Sequence, residues 1–131
     1  IFHLRQSDEP LRGKKVLIVE DDMRTMFAMA RMLAGHGVNP IKAENGERAL
    51  AMLAEHPDTD LVLLDMMMPV MDGPATIRVL RKMNPLVRII AASGLDANAY
   101  GAGLGITHVL PKPYAADRLL TTLRDALAVG A

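Results

Sequence analysis

The chain has 131 residues, half of them hydrophobic and 23% charged. That is one domain's worth of length, enough to bury about two-thirds of its unfolded surface without disulfide or metal staples. Fifteen basic and fifteen acidic residues cancel, so there is no basic excess for a broad nucleic-acid footprint, and the lack of cysteine excludes disulfides, thiolate nucleophiles and cysteine–zinc sites.

No apolar run is long enough to span a bilayer, and no signal-peptide pattern opens the chain. A cysteine-free composition fits a reducing compartment, and a cytoplasmic location is expected. The sequence begins at Ile1 rather than Met, and reads as processed or as a piece of a longer protein.

Residues 1–13, IFHLRQSDEPLRG, show no hydrophobic period and read as a linker or an ordered tail. The run Val16-Leu17-Ile18-Val19 reads as a buried strand, and Glu20-Asp21-Asp22 closes it. Asp22 suits a helix N-cap. Met26, Met29, Ala30 and Leu33 then recur at i, i+3, i+4 and i+7, a helical stripe ended by Gly35 and Gly37. Val38 to Ala43 is a weaker strand, and Pro40 suits the edge of a sheet. Asn45-Gly46 is a turn. Leu50, Leu53 and Ala54 mark a second helix, broken by Pro57-Asp58.

Leu61-Val62-Leu63-Leu64 is the clearest strand, and Asp65 ends it. After the loop MMMPVMDGP a third helix is expected over 74–82, stopped by Asn84-Pro85. Val87 to Ala92 is the fourth strand, ending at Ser93-Gly94. Between 96 and 105, Gly101, Ala102, Gly103 and Gly105 leave room for a short helix at most. Ile106 to Leu110 is the fifth strand, ending at Pro111-Lys112-Pro113, and Leu119, Leu120, Leu123, Ala126 and Leu127 give a last helix. Strands that are apolar throughout and alternate with helices imply a parallel sheet covered on both faces.

In open α/β sheets ligands bind at the carboxyl ends of the strands. Here those ends carry Glu20 and Asp21, Asp65, Ser93 and Lys112. Three converging carboxylates repel one another, and a hard divalent cation such as Mg²⁺ relieves this. Three carboxylates, one Mg²⁺ and one lysine sum to zero charge. A phosphoryl group on Asp65 would place new negative charge where the cation and Lys112 already point, with Ser93 available to a phosphoryl oxygen. The set therefore reads as an aspartyl-phosphate site with a carboxylate nucleophile. Singly, each residue has a plainer reading as a cap, a loop acid, a turn serine or a solvated lysine. The combination at the right strand ends is what points to chemistry.

The motifs VLIVEDD at 16–22, LVLLDMMMPVMDG at 61–73, AASG at 91–94 and LPKPY at 110–114 resemble those of the receiver domain of two-component response regulators. The resemblance covers residues 14–128, with a tail at 129–131. It implies a flavodoxin-like, doubly wound, three-layer α/β/α fold with five parallel strands in the order 2-1-3-4-5. It further implies Asp65 as phosphoacceptor and Asp21 as direct Mg²⁺ ligand, with Mn²⁺ as a substitute ion. Glu20 would be the second acid, and the backbone carbonyl of Met67 a further ligand. Ser93 would be the switch hydroxyl and Lys112 the family's lysine, its bond to Pro113 cis. Gly73 would shape the loop behind the site. The implied partners are a histidine kinase or phosphotransfer domain and a downstream protein, with no direct nucleic-acid contact and no membrane insertion.

Departures from the family pattern are specific. Val109 stands three residues before the lysine, where relatives carry Tyr or Phe, and the stretch between Ser93 and Lys112 is short. The usual output face is thereby put in question, and a readout through ordering of 94–105 is the expectation. Met67 and Leu95 occupy positions that in the family tune loss of the phosphoryl group. Both are apolar, so slow self-dephosphorylation is expected. Met66, Met67 and Met68 read as gap-fillers rather than a soft-metal site. His3, His36, His56 and His108 lack metal spacing and read as surface or loop residues. The function expected is a non-enzymatic phosphoacceptor switch, with LRGKKVLIVEDD and DMMMPVMDG favouring a receiver from a hybrid sensor kinase. Two alternatives stand beside it. A haloacid dehalogenase-type phosphatase would need an acid where Met67 stands, and a pseudo-receiver would not need the intact acids, acceptor and lysine.

Overall fold

A computed structural model describes residues 9–69, 72–94 and 104–128. Five strands, β1 (Lys15–Val19), β2 (Asn39–Ala43), β3 (Leu61–Asp65), β4 (Arg88–Ser93) and β5 (His108–Pro111), form one sheet in the order β2-β1-β3-β4-β5. All neighbouring strands are parallel. The described residues hold four helices: α1 (Met23–Gly35), α2 (Gly46–Glu55), α3 (Gly73–Met83) and α4 (Ala116–Ala128). This is the expected doubly wound fold. Most of the 96–105 stretch, where a short helix is expected between β4 and β5, lies outside the described residues. Leu104 and Gly105, at its expected end, are not helical.

Alternation along the strands divides two cores. Val16, Ile18, Leu61, Leu63 and Ile90 pack with α1 and α4 on one face, whereas Leu17, Val19, Val62, Leu64 and Ile89 pack with α2 and α3 on the other. A strand buried on both faces has no polar face to show, which is why β1 and β3 read as unbroken apolar runs. The stripe Met26, Met29, Ala30 and Leu33 is the buried side of α1. Pro40 lies on β2, at the sheet's edge, as its missing N–H requires.

The segment 9–13, which the sequence offers as linker or tail, is ordered enough to pack. Leu11 is fully buried in the α1/α4 core, and the Gly13 N–H donates to the Gly37 carbonyl at 2.8 Å. His108 also differs from expectation: it opens β5 and is half-buried, with Nδ1 enclosed and lacking a hydrogen-bond partner.

Three helices start close after strand ends under side-chain caps. Asp22 accepts from the Arg24 N–H and the Thr25 hydroxyl, both at 3.0 Å. Asn45 accepts from the Arg48 N–H at 2.7 Å, and Asp72 from the Ala75 N–H at 3.0 Å. At the opposite edge, Arg81 near the end of α3 ties down the approach to β5. Its guanidinium donates to the carbonyls of Pro85 (2.9 Å), Val87 and Gly105 (2.5 Å). Gly105 has φ +75°, and a Cβ there would lie 2.9 Å from Arg81 Nε, so both conformation and space call for glycine.

Candidate functional site

The sheet register sets the site. Asp65 is the last residue of β3 and pairs with Ala92 of β4, and Ser93 lies one position further on. The Met66 N–H donates to the Ala92 carbonyl at 2.9 Å and the Lys112 N–H to the Ser93 carbonyl at 2.8 Å, extending the ladder past the strand ends. Glu20 follows β1 directly, its N–H bonded to the Ala43 carbonyl at 3.1 Å. Glu20, Asp21, Asp65, Ser93 and Lys112 thus reach one edge because each follows or ends a strand of the parallel sheet.

Glu20, Asp21 and Asp65 each offer a carboxylate oxygen within 4.8 Å of the others. Glu20 and Asp65 are only 6% and 7% exposed, while Asp21 is open to solvent. Lys112 Nζ donates to Asp65 Oδ1 at 2.8 Å, and the peptide bond from Lys112 to Pro113 is cis. Met67 also touches the acceptor: its N–H donates to Asp65 Oδ1 at 2.9 Å. Its amide is therefore the contact seen here, and a backbone N–H carries no side-chain signal by which it could be foreseen. Ser93 is wholly buried at the end of β4. Leu95 lies outside the described residues, and Val109 is half-buried on β5, paired with Ala91.

The electrostatics follow from crowding. Burial pushes the Glu20 carboxyl from 4.5 up to about 7, and the Asp65 charge adds to this, although the Asp22 N–H donating to Glu20 Oε2 at 3.1 Å works the other way. Burial disfavours the Lys112 ammonium, but its bond to Asp65 and the charges of Asp65 and Glu20 outweigh that and raise its pKa. Burial likewise raises the Tyr114 phenol, whose hydroxyl faces Met29 Sδ at 3.9 Å. A cleft of about 740 Å³ opens alongside, lined by Glu20, Lys112 and Tyr114 and by α1 residues including Thr25 and Met29. The Asp65 carboxylate thus has an ammonium on one side and acids on the other, and Glu20 and Lys112 border the cleft.

A doubly wound α/β domain with an acid cluster and a lysine at its carboxyl edge is the class that fold and site define. The family model described as the response regulator receiver domain matches residues 16–124, and the chain belongs to that family. It is 34% identical over 116 residues to the sensor kinase CckA of Brucella abortus, covering 86% of this chain and 12% of that protein. It is 37% identical over 122 residues to the transcriptional regulatory protein ZraR of Salmonella typhimurium, covering 90% and 27%. The chain thus spans a minor part of these relatives.

Among solved structures it resembles the chemotaxis response regulator CheY4 of Vibrio cholerae, with TM-score 0.78 and 27% identity over 86% of this chain and 98% of that one. It also resembles the receiver domain of the hybrid histidine kinase CckA, with TM-score 0.74 and 28% identity over 86% and 98%. The chain is a receiver domain of two-component signalling. Among the described residues no helix is long and apolar enough to cross a membrane.

Proposed function

We propose that the chain is a phosphoacceptor switch in which Asp65 takes a phosphoryl group from the phosphohistidine of a histidine kinase or a phosphotransfer domain. The observation that carries this is the Asp65 carboxylate, buried at a strand end and held 2.8 Å from the Lys112 ammonium within the acid cluster. An Asp65 oxygen attacks phosphorus, the P–O bond forms as the P–N bond breaks, and the electron pair stays on the imidazole nitrogen. Lys112, freed from its bond to Asp65, balances the charge on the transferred oxygens, and the Ser93 hydroxyl donates to one of them.

The residues present fit a hard divalent cation. Three carboxylates face a single ammonium, and burial, with the Asp65 charge adding to it, lifts Glu20 to about 7. Glu20, Asp21, Asp65 and the backbone carbonyl of Met67 would hold Mg²⁺, with Mn²⁺ as a substitute; when bound it supplies positive charge beside the phosphoryl oxygens. The half-exposed Met67 side chain has no group that orients a water, so the phosphorylated form is long-lived. The parent is a hybrid sensor kinase, favoured by the likeness to the sensor kinase CckA, and this domain works in the cytoplasm without touching nucleic acid directly.

The test is incubation with acetyl phosphate, with and without Mg²⁺, read by intact mass on the wild type and on Asp65→Asn. A single phosphoryl adduct that needs Mg²⁺ and is lost in the variant is the expected result. A folded wild type that takes no phosphoryl group from acetyl phosphate or from a panel of phosphorylated histidine kinases overturns the proposal.

A further inference from the structure

With no cysteine and ten methionines, the chain's oxidisable sulfurs are all thioethers. Most of the described ones are sheltered: Met26, Met29 and Met68 are buried, and Met32, Met52 and Met66 are half-buried. Met67 is the most exposed of them at 52%, ahead of Met23 at 42% and Met83 at 41%. It is also tied to the acceptor. Its N–H is bonded to Asp65 Oδ1, and its terminal methyl lies 3.9 Å from where a Cβ on Gly94 would sit. The side chain therefore runs from the residue whose amide holds Asp65 toward Gly94, next to Ser93 at the end of β4, and is apolar and open to solvent reagents.

We propose that Met67 is a peroxide-sensitive modification site whose sulfoxide shortens the lifetime of the phosphorylated domain. The step balances with hydrogen peroxide as oxidant: the sulfur lone pair attacks one peroxide oxygen, the S–O bond forms, the O–O bond breaks, and water leaves. The thioether loses two electrons and the peroxide gains them. A flexible apolar group becomes a polar one bearing a strong acceptor oxygen. The thioether sheds water, whereas the sulfoxide oxygen accepts a hydrogen bond from a water and holds it beside the aspartyl phosphate. One such bond is worth roughly a threefold to tenfold faster hydrolysis. The oxidation itself is independent of any phosphoryl chemistry, but its consequence rests on the acceptor role of Asp65.

The experiment has two readouts. Limited hydrogen peroxide treatment of the folded chain, followed by peptide mass mapping, is expected to place sulfoxide on Met67 before Met23 and Met83. The acyl phosphate lifetime, measured after acetyl phosphate loading and desalting, is expected to fall by roughly threefold or more on oxidation. It is expected to recover after methionine sulfoxide reductase treatment. In Met67→Leu the lifetime is expected to be the same before and after peroxide, which separates Met67 from the other oxidised methionines. Met67→Gln, with a polar acceptor that peroxide leaves alone, is expected to show the short lifetime from the start. Oxidation at Met23 or Met83 ahead of Met67 overturns the proposal, as does an unchanged lifetime with Met67 fully oxidised. A wild type that maps as expected but never loads a phosphoryl group refutes the acceptor reading instead, and with it the consequence proposed here.

Discussion

Replacing Glu20 by Gln should remove a pH-dependent loss of stability that the wild type shows when divalent cations are chelated. Glu20 is buried beside Asp65, and its carboxyl is raised from 4.5 to about 7. The unfolded chain releases that proton near the lower value. Between about pH 4.5 and pH 7 the folded chain therefore binds more protons than the unfolded chain, so stability falls as pH rises through this window and levels off above it. At 1.36 kcal/mol per pKa unit the full span is about 3 kcal/mol, of which about 2.5 kcal/mol falls between roughly pH 5 and pH 8. Against a domain stability of about 5–15 kcal/mol this is readily seen.

Urea unfolding in a chelator is the assay. With a denaturant slope of roughly 1–3 kcal/mol per molar, the wild-type midpoint should drop by about 1–2 M between those pH values. The difference between wild type and Glu20→Gln carries the test, because it cancels every titration the two chains share. Saturating Mg²⁺ should flatten the wild-type profile, because a cation held by the cluster keeps Glu20 ionised. Wild-type and variant midpoints that fall in parallel in the chelator would refute the reasoning.

Other expectations follow from the same geometry. Lys112→Met removes the cation facing Glu20 and Asp65, so the Glu20 titration should move further up in pH, read by carboxyl NMR or by the stability profile. Arg81→Met should cost about 2 kcal/mol, because charged hydrogen bonds to three carbonyls are lost, and amide exchange at Thr107 should speed up. Gly105→Ala should cost about 1–2 kcal/mol through the left-handed backbone and the approach to Arg81, and less in the Arg81→Met background. Leu11→Ala should cost about 2–4 kcal/mol in urea unfolding if the packed unit begins before β1, whereas a linker residue would cost almost nothing.

What the sequence shows and what it hides divide along one physical line. Burial on both faces writes itself into unbroken apolar runs, so β1, β3 and β4 are visible, and the residues that follow them are located at one edge before any coordinate is known. Pro40 marks the edge strand because a missing N–H is a property of the residue itself. By contrast, Leu11 sits in a stretch with no period, and only the turn closed by Gly13 and Gly37 folds it back over the core. His108 and Arg81 are opaque for a related reason. Their surroundings are backbone carbonyls and enclosing chain, and a carbonyl carries no side-chain signature.

The site shows the same division. Its residue types are legible, but its energetics depend on distances. Burial of Glu20, with the charge of the equally buried Asp65 close by, is what lifts it to about 7. The same charges spread over a solvated surface would leave it near 4.5. The predicted loss of stability above pH 7 in chelator and the proposed affinity for a cation thus have one source, carboxylates that the fold holds together and largely out of water at the end of β3.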